Sequence, residues 1–323
     1  MSTIDILAFA YDDKNNNLFK YFQCMKSIGV NIVAYKAIPS IHAYPEQVPI
    51  YPDLQSALIS KTPYVVACKK LLNFINISKV IWFYDAFFVD TGIVDFDNMN
   101  VIVSYEPDVY YNGAEICNSF FNDIVKKSII HSPSLLGFNA KNEFFVSFIA
   151  DTEHIKQNVN MQHENIVVGC FTRRNSNDDI KAVNNIVGQI YNHFGDLFKF
   201  IIVNDAMEWI DIFRLMSQCD VIIESVYTEH GDWGSIALTA ASFGCIVIGN
   251  SYFNDVYEQE YGKCEILIAN NQDEIIKKLN DIYYMGYDAR LIKKNMTRKW
   301  AENYHSIKFV ASRLYENVFK ELL

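Results

Sequence analysis

Residues 231 to 250 read GDWGSIALTAASFGCIVIGN. Two glycines frame a turn, small residues follow over a helix length, a glycine ends them, and an apolar strand comes next. This order suits anion binding. The first N–H groups of a helix have no partners inside the helix, and they lie at the positive end of its dipole. A diphosphate fits against such a helix start. Gly234 lets backbone and ligand approach closely, and Ser235 is expected to cap the helix. Ala237, Ala240 and Ala241 let the helix lie tight on a sheet. The plain alternative is a strand connection with a small-residue interface.

A second constellation is VVGCFTRRNSNDDIK, Val167 to Lys181. A strand ends, a polar loop follows, and a helix is expected to begin near Asp178. Negative charge that builds on a departing diphosphate is stabilised by a fixed Arg fork or Lys ammonium. Arg173 comes directly off the strand, Arg174 follows it, and Lys181 falls in the first turns of the helix. The alternative for all three is solvated surface charge.

In NVIVSYEPDVYY, Glu106 stands at a strand end, where open α/β sheets place ligands. It reads as a base or an acceptor contact, against the alternative of an exposed loop acid. His131, in SIIHSPSLLG, reads as a structural hydrogen-bonder. Asp85 and Asp90 do not form a D-x-D pair, so no metal site is expected. Asp12, Asp13 and Asn15 to Asn17 are either acceptor-binding polar groups or a solvated loop.

The elements that must position these residues are short apolar runs separated by helix-like segments. IDILAFA, VNIVAYK, KVIWFYD, NVIVSYE and FFVSFIA read as strands in the first half. NIVVGCF, KFIIVND, DVIIE, CIVIG and CEILIA follow after a polar stretch, 151–164. This alternation predicts parallel sheets with covering helices. Asn271 and Glu274 have capping-box spacing. The tail puts Ile307, Val310, Ala311, Leu314, Val318 and Leu322 on one helical face.

The 323 residues suffice for about two domains at ~150 residues each. A formal net charge of −10 argues against a broad duplex-binding face, which would need Lys and Arg to neutralise phosphates. The N-terminal residues carry no basic segment before their apolar run, and no stretch reaches the ~18 apolar residues of a membrane span. The seven cysteines are scattered without a C-x-x-C, so they are expected to be small buried hydrophobes in a reducing cytosol.

Taken together, the late glycine–helix–glycine–strand module and the two α/β halves resemble the GT-B glycosyltransferases, especially the retaining family-four group. That group carries E-G-F-G-x-x-x-x-E-A-x-x-x-G-x-x-V-I. This chain supplies Gly231, Asp232, Trp233, Gly234, Thr239, Ala240, Gly244, Val247 and Ile248 against it. CDVIIES, FIADTEHI and the W-A-x-x-Y-H-S of Trp300 to Ser306 also resemble family segments. The likeness runs from about residue 148 onward.

The resemblance implies an α/β protein of two Rossmann-like domains with a cleft between them. The expected bounds are 1–155 for an acceptor domain, 156–300 for a nucleotide-sugar donor domain, and 301–323 for a C-terminal helix packing back on the first. It implies a cytoplasmic enzyme that moves a sugar, with retention, from a nucleotide-sugar donor to a glycan or to a modified base in DNA, with no metal or other cofactor. Arg173, Arg174, Lys181, Gly231, Asp232, Trp233, Gly234, Ser235 and Thr239 would bind the donor. The motif's two acidic positions, which meet the donor sugar and the ribose, fall here on Gly231 and Thr239. Glu229, His230 and Asp232 are close enough to replace the first, so Glu106, Glu229 and His230 are the catalytic candidates. The alternatives are a non-catalytic binding or scaffold protein and a nucleotide-sugar epimerase.

Overall fold

In a computed structural model of the chain, the described residues are 3–10, 13, 16–39, 46–50, 75, 77–84, 99–105, 107–157, 165–171, 177–203, 207–224 and 232–323. They divide into two compact units. One comprises Met1–Ser147 with Ile307–Leu323, and the other Phe148–Ser306.

The first unit holds a six-stranded parallel sheet of order β2-β1-β3-β4-β5-β6. Its strands are β1 (Ile4–Ala10), β2 (Ile32–Lys36), β3 (Ser78–Phe83), β4 (Asn100–Tyr105), β5 (Val125–Ile130) and β6 (Glu143–Phe145). Helix α1 (Asn17–Ser27) follows β1, and α2 (Pro107–Phe121) follows β4. The buried runs that announce β1, β3 and β4 are β-branched and aromatic, as parallel strands covered on both faces require.

Two strands differ from expectation. β5 reads VKKSII, and its two lysines hide it in the sequence. Lys126 is exposed, and the Lys127 ammonium donates to the carbonyl of Asn317 at 2.6 Å. The apolar run FFVSFIA yields only the short β6. Val146 to Ile149 are buried but join no ladder, because here the chain leaves the first sheet for the second unit.

The loop before α1 is neither a solvated loop nor an open hydroxyl-binding surface where it is described. Asp13 is buried, and its carboxylate accepts the N–H groups of Leu18 at 2.8 Å and Phe19 at 3.2 Å. It thus serves the helix start as a capping acid. Burial raises its pKa to about 6, opposed by those two bonds and by Lys36 and Lys20. From about pH 4 to pH 6 the folded chain keeps a proton there that the unfolded chain has released. Stability from this site is therefore complete below about pH 4 and is lost as pH rises through about 6. Thermal unfolding across this range should show Asp13→Asn gaining on the parent as pH rises. A gap between the two that stays constant with pH would contradict the assignment.

The second unit holds a five-stranded parallel sheet of order β11-β10-β9-β7-β8. Its strands are β7 (Ile166–Phe171), β8 (Phe198–Val203), β9 (Val221–Ile223), β10 (Ile246–Gly249) and β11 (Leu267–Ile268). The intervening helices are α3 (Asn177–Phe194), α4 (Trp209–Met216), α5 (Ser235–Phe243) and α6 (Asn254–Tyr261), and α7 (Gln272–Tyr284) follows the last strand. The first half of the capping box forms, with Glu274 N–H donating to Asn271 Oδ1 at 2.9 Å, while the Glu274 carboxylate takes the Asn271 side-chain amide at 2.8 Å and the backbone N–H of Asn270, one residue earlier, at 2.7 Å. One core packs Ile166, Val168, Ile186, Ile190, Val221 and Ile246 together with Ile275 and Leu279 of α7.

The tail from residue 301 is not one helix. Helix α8 (Gly286–His305) ends, Ser306 is extended, and α9 (Ile307–Leu314) begins afresh. Ser306 breaks the helix because it forms a parallel bridge with Ala150. The basic pairs of α8 are not a free cationic face either. Lys293 meets Glu265 at 2.6 Å, Lys294 meets Asp220 at 3.0 Å, and Arg298 is buried beside Glu302. No helix among the described residues is long and apolar enough to cross a membrane. Of the described cysteines, Cys24, Cys170, Cys219, Cys245 and Cys264 are buried, and burial pushes the thiols of Cys170, Cys245 and Cys264 up to about 12.

Candidate functional site

The second sheet fixes where a ligand would meet it. From β7 the chain crosses first to β8 on one side and then to β9 on the other. The carboxyl ends of β7 and β9 therefore form a topological switch point, the usual ligand crevice of an open α/β sheet. Strand β7 reaches this point at Phe171, and β9 reaches it at Ile223, with Glu224 next in the chain. Arg173, Arg174, Glu229, His230 and Gly231 lie outside the described residues, as does Glu106 of the first unit. Lys181 is exposed in the early part of α3.

The turn from Asp232 to α5 is fully described. Asp232 bridges Ser251 in antiparallel fashion, and the Ser251 hydroxyl donates to its Oδ1 at 2.9 Å. Trp233 is buried. Its ring meets Tyr257, Trp300 and His305 edge-on, with centroids at 5.0, 5.6 and 5.9 Å. The indole thus anchors the turn in an aromatic cluster. His305 at its centre accepts the Tyr257 hydroxyl at 2.6 Å through Nε2, and its Nδ1 lies 3.3 Å from the Phe148 carbonyl. Burial lowers its pKa to about 3, so the ring is neutral. His131 in the first unit is likewise held neutral by burial, with Nδ1 2.9 Å from the carbonyl of Val146, a structural role as the sequence suggested.

Ser235 does not cap α5. It is the first helical residue, Gly234 holds the cap position, and no side chain of the cap residue bonds the helix. The helix start is satisfied by Glu224, an acid that the sequence reading passed over. Gly234 N–H donates to both its carboxylate oxygens, at 2.9 and 3.0 Å, and Ala237 N–H donates to Oε1 at 3.1 Å. The signal that could have found it is its place as the last residue of DVIIE, at a strand end facing the crevice. Thr239 is buried, and its hydroxyl donates to the carbonyl of Ser235 at 2.8 Å, so that proton serves the helix itself.

The rest of the module is as its composition suggests. Every residue of α5 from Ala237 to Phe243 is buried. Gly244 ends the helix at a φ of 78°, a conformation that suits glycine, and a β-carbon there would lie 2.8 Å from Gln157. Arg298 ties this helix end to the incoming chain: its guanidinium donates to the carbonyls of Ser242, Thr152 and Ile155. Among the described residues, no three His, Cys, Asp or Glu side chains gather as a metal site.

No protein-family model matches the sequence, and no curated protein matches it. Solved structures do match its fold. Anabaena Alr3699/HepE in complex with UDP is 12% identical with a TM-score of 0.65, covering 98% of this chain and 99% of that one. The UDP-GlcNAc 2-epimerase of Neisseria meningitidis bound to UDP-GlcNAc is 12% identical, with a TM-score of 0.56 and coverage of 98% and 99%. The α,α-trehalose 6-phosphate synthase of Burkholderia multivorans is 8% identical, with a TM-score of 0.56 and coverage of 98% of each chain. The chain has the GT-B fold, two Rossmann-like domains with parallel sheets.

Proposed function

We propose that this protein is a glycosyltransferase that takes a sugar from a nucleotide-sugar donor, with retention and without a metal, and passes it to a glycan or to a modified base in DNA. The carrying observation is likeness over nearly the whole chain to solved structures of this fold, one in complex with UDP and another bound to UDP-GlcNAc. The switch point of the second sheet supports the donor reading, because the strands whose carboxyl ends form it, β7 and β9, are those that precede Arg173–Arg174 and the Asp232–Ser235 turn in the sequence. In this reading Arg173, Arg174 and Lys181 take the donor's phosphates, and Glu106, Glu229 and His230 are the acids and bases of the transfer.

The test is binding and turnover. A nucleotide sugar that raises the melting temperature identifies the donor, since ligand binding stabilises by mass action. Arg173→Ala and Lys181→Ala should each weaken nucleotide-diphosphate binding by ~1.5–3 kcal/mol, the scale of a charged hydrogen bond. Unchanged affinity would remove them from the site, and no response to any nucleotide sugar would sink the reading. An epimerase is the second reading, motivated by the epimerase among the compared structures. It predicts that the donor sugar isomerises with no acceptor present.

A further inference from the structure

Strand β10 pairs with β9 in parallel, so its carboxyl end lies beside the switch point. The chain just beyond it is held closely. Ser251 N–H donates to Asn270 Oδ1 at 3.0 Å, and the Asn270 amide donates back to the Ser251 carbonyl at 3.2 Å. The Ser251 hydroxyl donates to Asp232 and accepts the N–H of Phe253 at 3.2 Å. On this fixed backbone stand two exposed aromatics, Tyr252 at 66% and Phe253 at 38%. Among the described residues neither ring meets another aromatic ring, and the Tyr252 hydroxyl has no hydrogen-bond partner. The aromatics that follow are packed instead: Tyr257 and Tyr261 of α6 stack at 5.0 Å, and Trp233 meets Tyr257 edge-on. Helix α6 carries Asp255, Glu258 and Glu260 and no Lys or Arg. Asp255 is exposed and makes no ion pair among the described residues.

We propose that Tyr252 and Phe253 are specificity-determining residues, an aromatic platform on which an uncharged sugar ring of the acceptor rests. The inference rests on the glycosyltransferase reading and chooses between its two acceptors. A rigid aromatic ring offers a large apolar face at little cost in entropy, and the C–H face of a pyranose is apolar. The Asp255 carboxylate is a hydrogen-bond acceptor, which matches the hydroxyl donors around a sugar's edge. A DNA strand also stacks its bases on aromatic rings, but it brings a phosphate with every base, here toward acids with no cation among them in α6. The same acids disfavour the donor's diphosphate, so the platform serves the acceptor's ring and not the donor's.

The experiment is titration, by nuclear magnetic resonance, of the parent, Tyr252→Ala, Tyr252→Phe and Phe253→Ala. The probes are linear trioses of glucose, mannose, galactose and N-acetylglucosamine, a tetrathymidylate, and UDP, GDP, ADP and dTDP with their hexose conjugates. The parent should bind at least one triose. Tyr252→Ala and Phe253→Ala should each weaken that triose about fivefold or more, whereas Tyr252→Phe keeps the ring and should stay within about twofold. All three should hold the best-bound nucleoside diphosphate within about twofold of the parent. Circular dichroism checks the fold, and if Phe253→Ala does not fold the exposed Tyr252 decides alone. A triose bound as well by Tyr252→Ala as by the parent overturns the inference. So does a parent that binds no triose, a tetrathymidylate bound more tightly than any triose, or an equal loss for triose and diphosphate. The nucleotide-sugar reading fails on a different result, a parent with no affinity for any nucleoside diphosphate or its conjugates, and the acceptor role falls with it.

Discussion

Arg298→Ala should cost about 4 kcal/mol, among the largest effects of a single substitution in this chain. Arg298 is 7% exposed, and its guanidinium reaches three carbonyls, those of Thr152, Ile155 and Ser242, besides the carboxylate of Glu302. Removing it leaves buried acceptors without donors, which costs more than the bonds themselves contribute. Lysine has no planar fork and would not restore all of them. The Glu302 partner separates the causes. Its side chain is 45% exposed, so Glu302→Ala should cost under about 1 kcal/mol. Urea unfolding followed by tryptophan fluorescence compares the two. Equal losses would mean that the ion pair, not the carbonyls, carries the effect.

Gly169→Val should be nearly as damaging, at about 3 kcal/mol. Gly169 lies in the middle of β7, an inner strand from which the chain crosses first to one side and then to the other, and pairs with Ile222 of β9. A β-carbon alone would meet Ile222 Cδ1 at 2.6 Å, Cys219 Sγ at 2.8 Å and Phe171 Cε2 at 3.0 Å. All three neighbours are buried, so relief requires the sheet face to move. Combining Gly169→Ala with Cys219→Ala should recover part of the loss of Gly169→Ala, and strict additivity in denaturant midpoints would argue against the clash.

The strands were largely legible, because burial on both faces of a parallel sheet selects continuous β-branched runs. β1 matches its run from Ile4 to Ala10 residue for residue. β5 was not, since Lys127 depends on a carbonyl at Asn317, a partner no local pattern contains. The buried face of α9 was read correctly from Ile307 to Leu314, but the break at Ser306 depends on a bridge to Ala150. The candidate site divides the same way. The glycine-framed turn, the tight helix and its glycine stop follow from residue types in sequence. What occupies the helix head does not, because Glu224 reaches it from ten residues upstream and takes the N–H groups assigned to Ser235 or a ligand. Thr239 was misread for a similar reason: a helical threonine can return its proton to the preceding turn, as this one does.

The side-by-side passage of the chain at Ala150 and Ser306 has a consequence for synthesis. The second unit is one unbroken stretch, Phe148–Ser306, whereas the first needs Ile307–Leu323 to be whole. That late piece is no ornament. Val310, Ala311, Leu314, Val318 and Phe319 are buried, the Phe319 ring lies 5.4 Å from Trp82, and the Cys24 thiol donates to the carbonyl of Ile307 at 3.1 Å. On the ribosome, where domains generally fold in the order they emerge, this chain reverses the order of completion. The unit begun first must wait, with the apolar side chains of α1 and β3 uncovered, until the unit begun second has been translated in full.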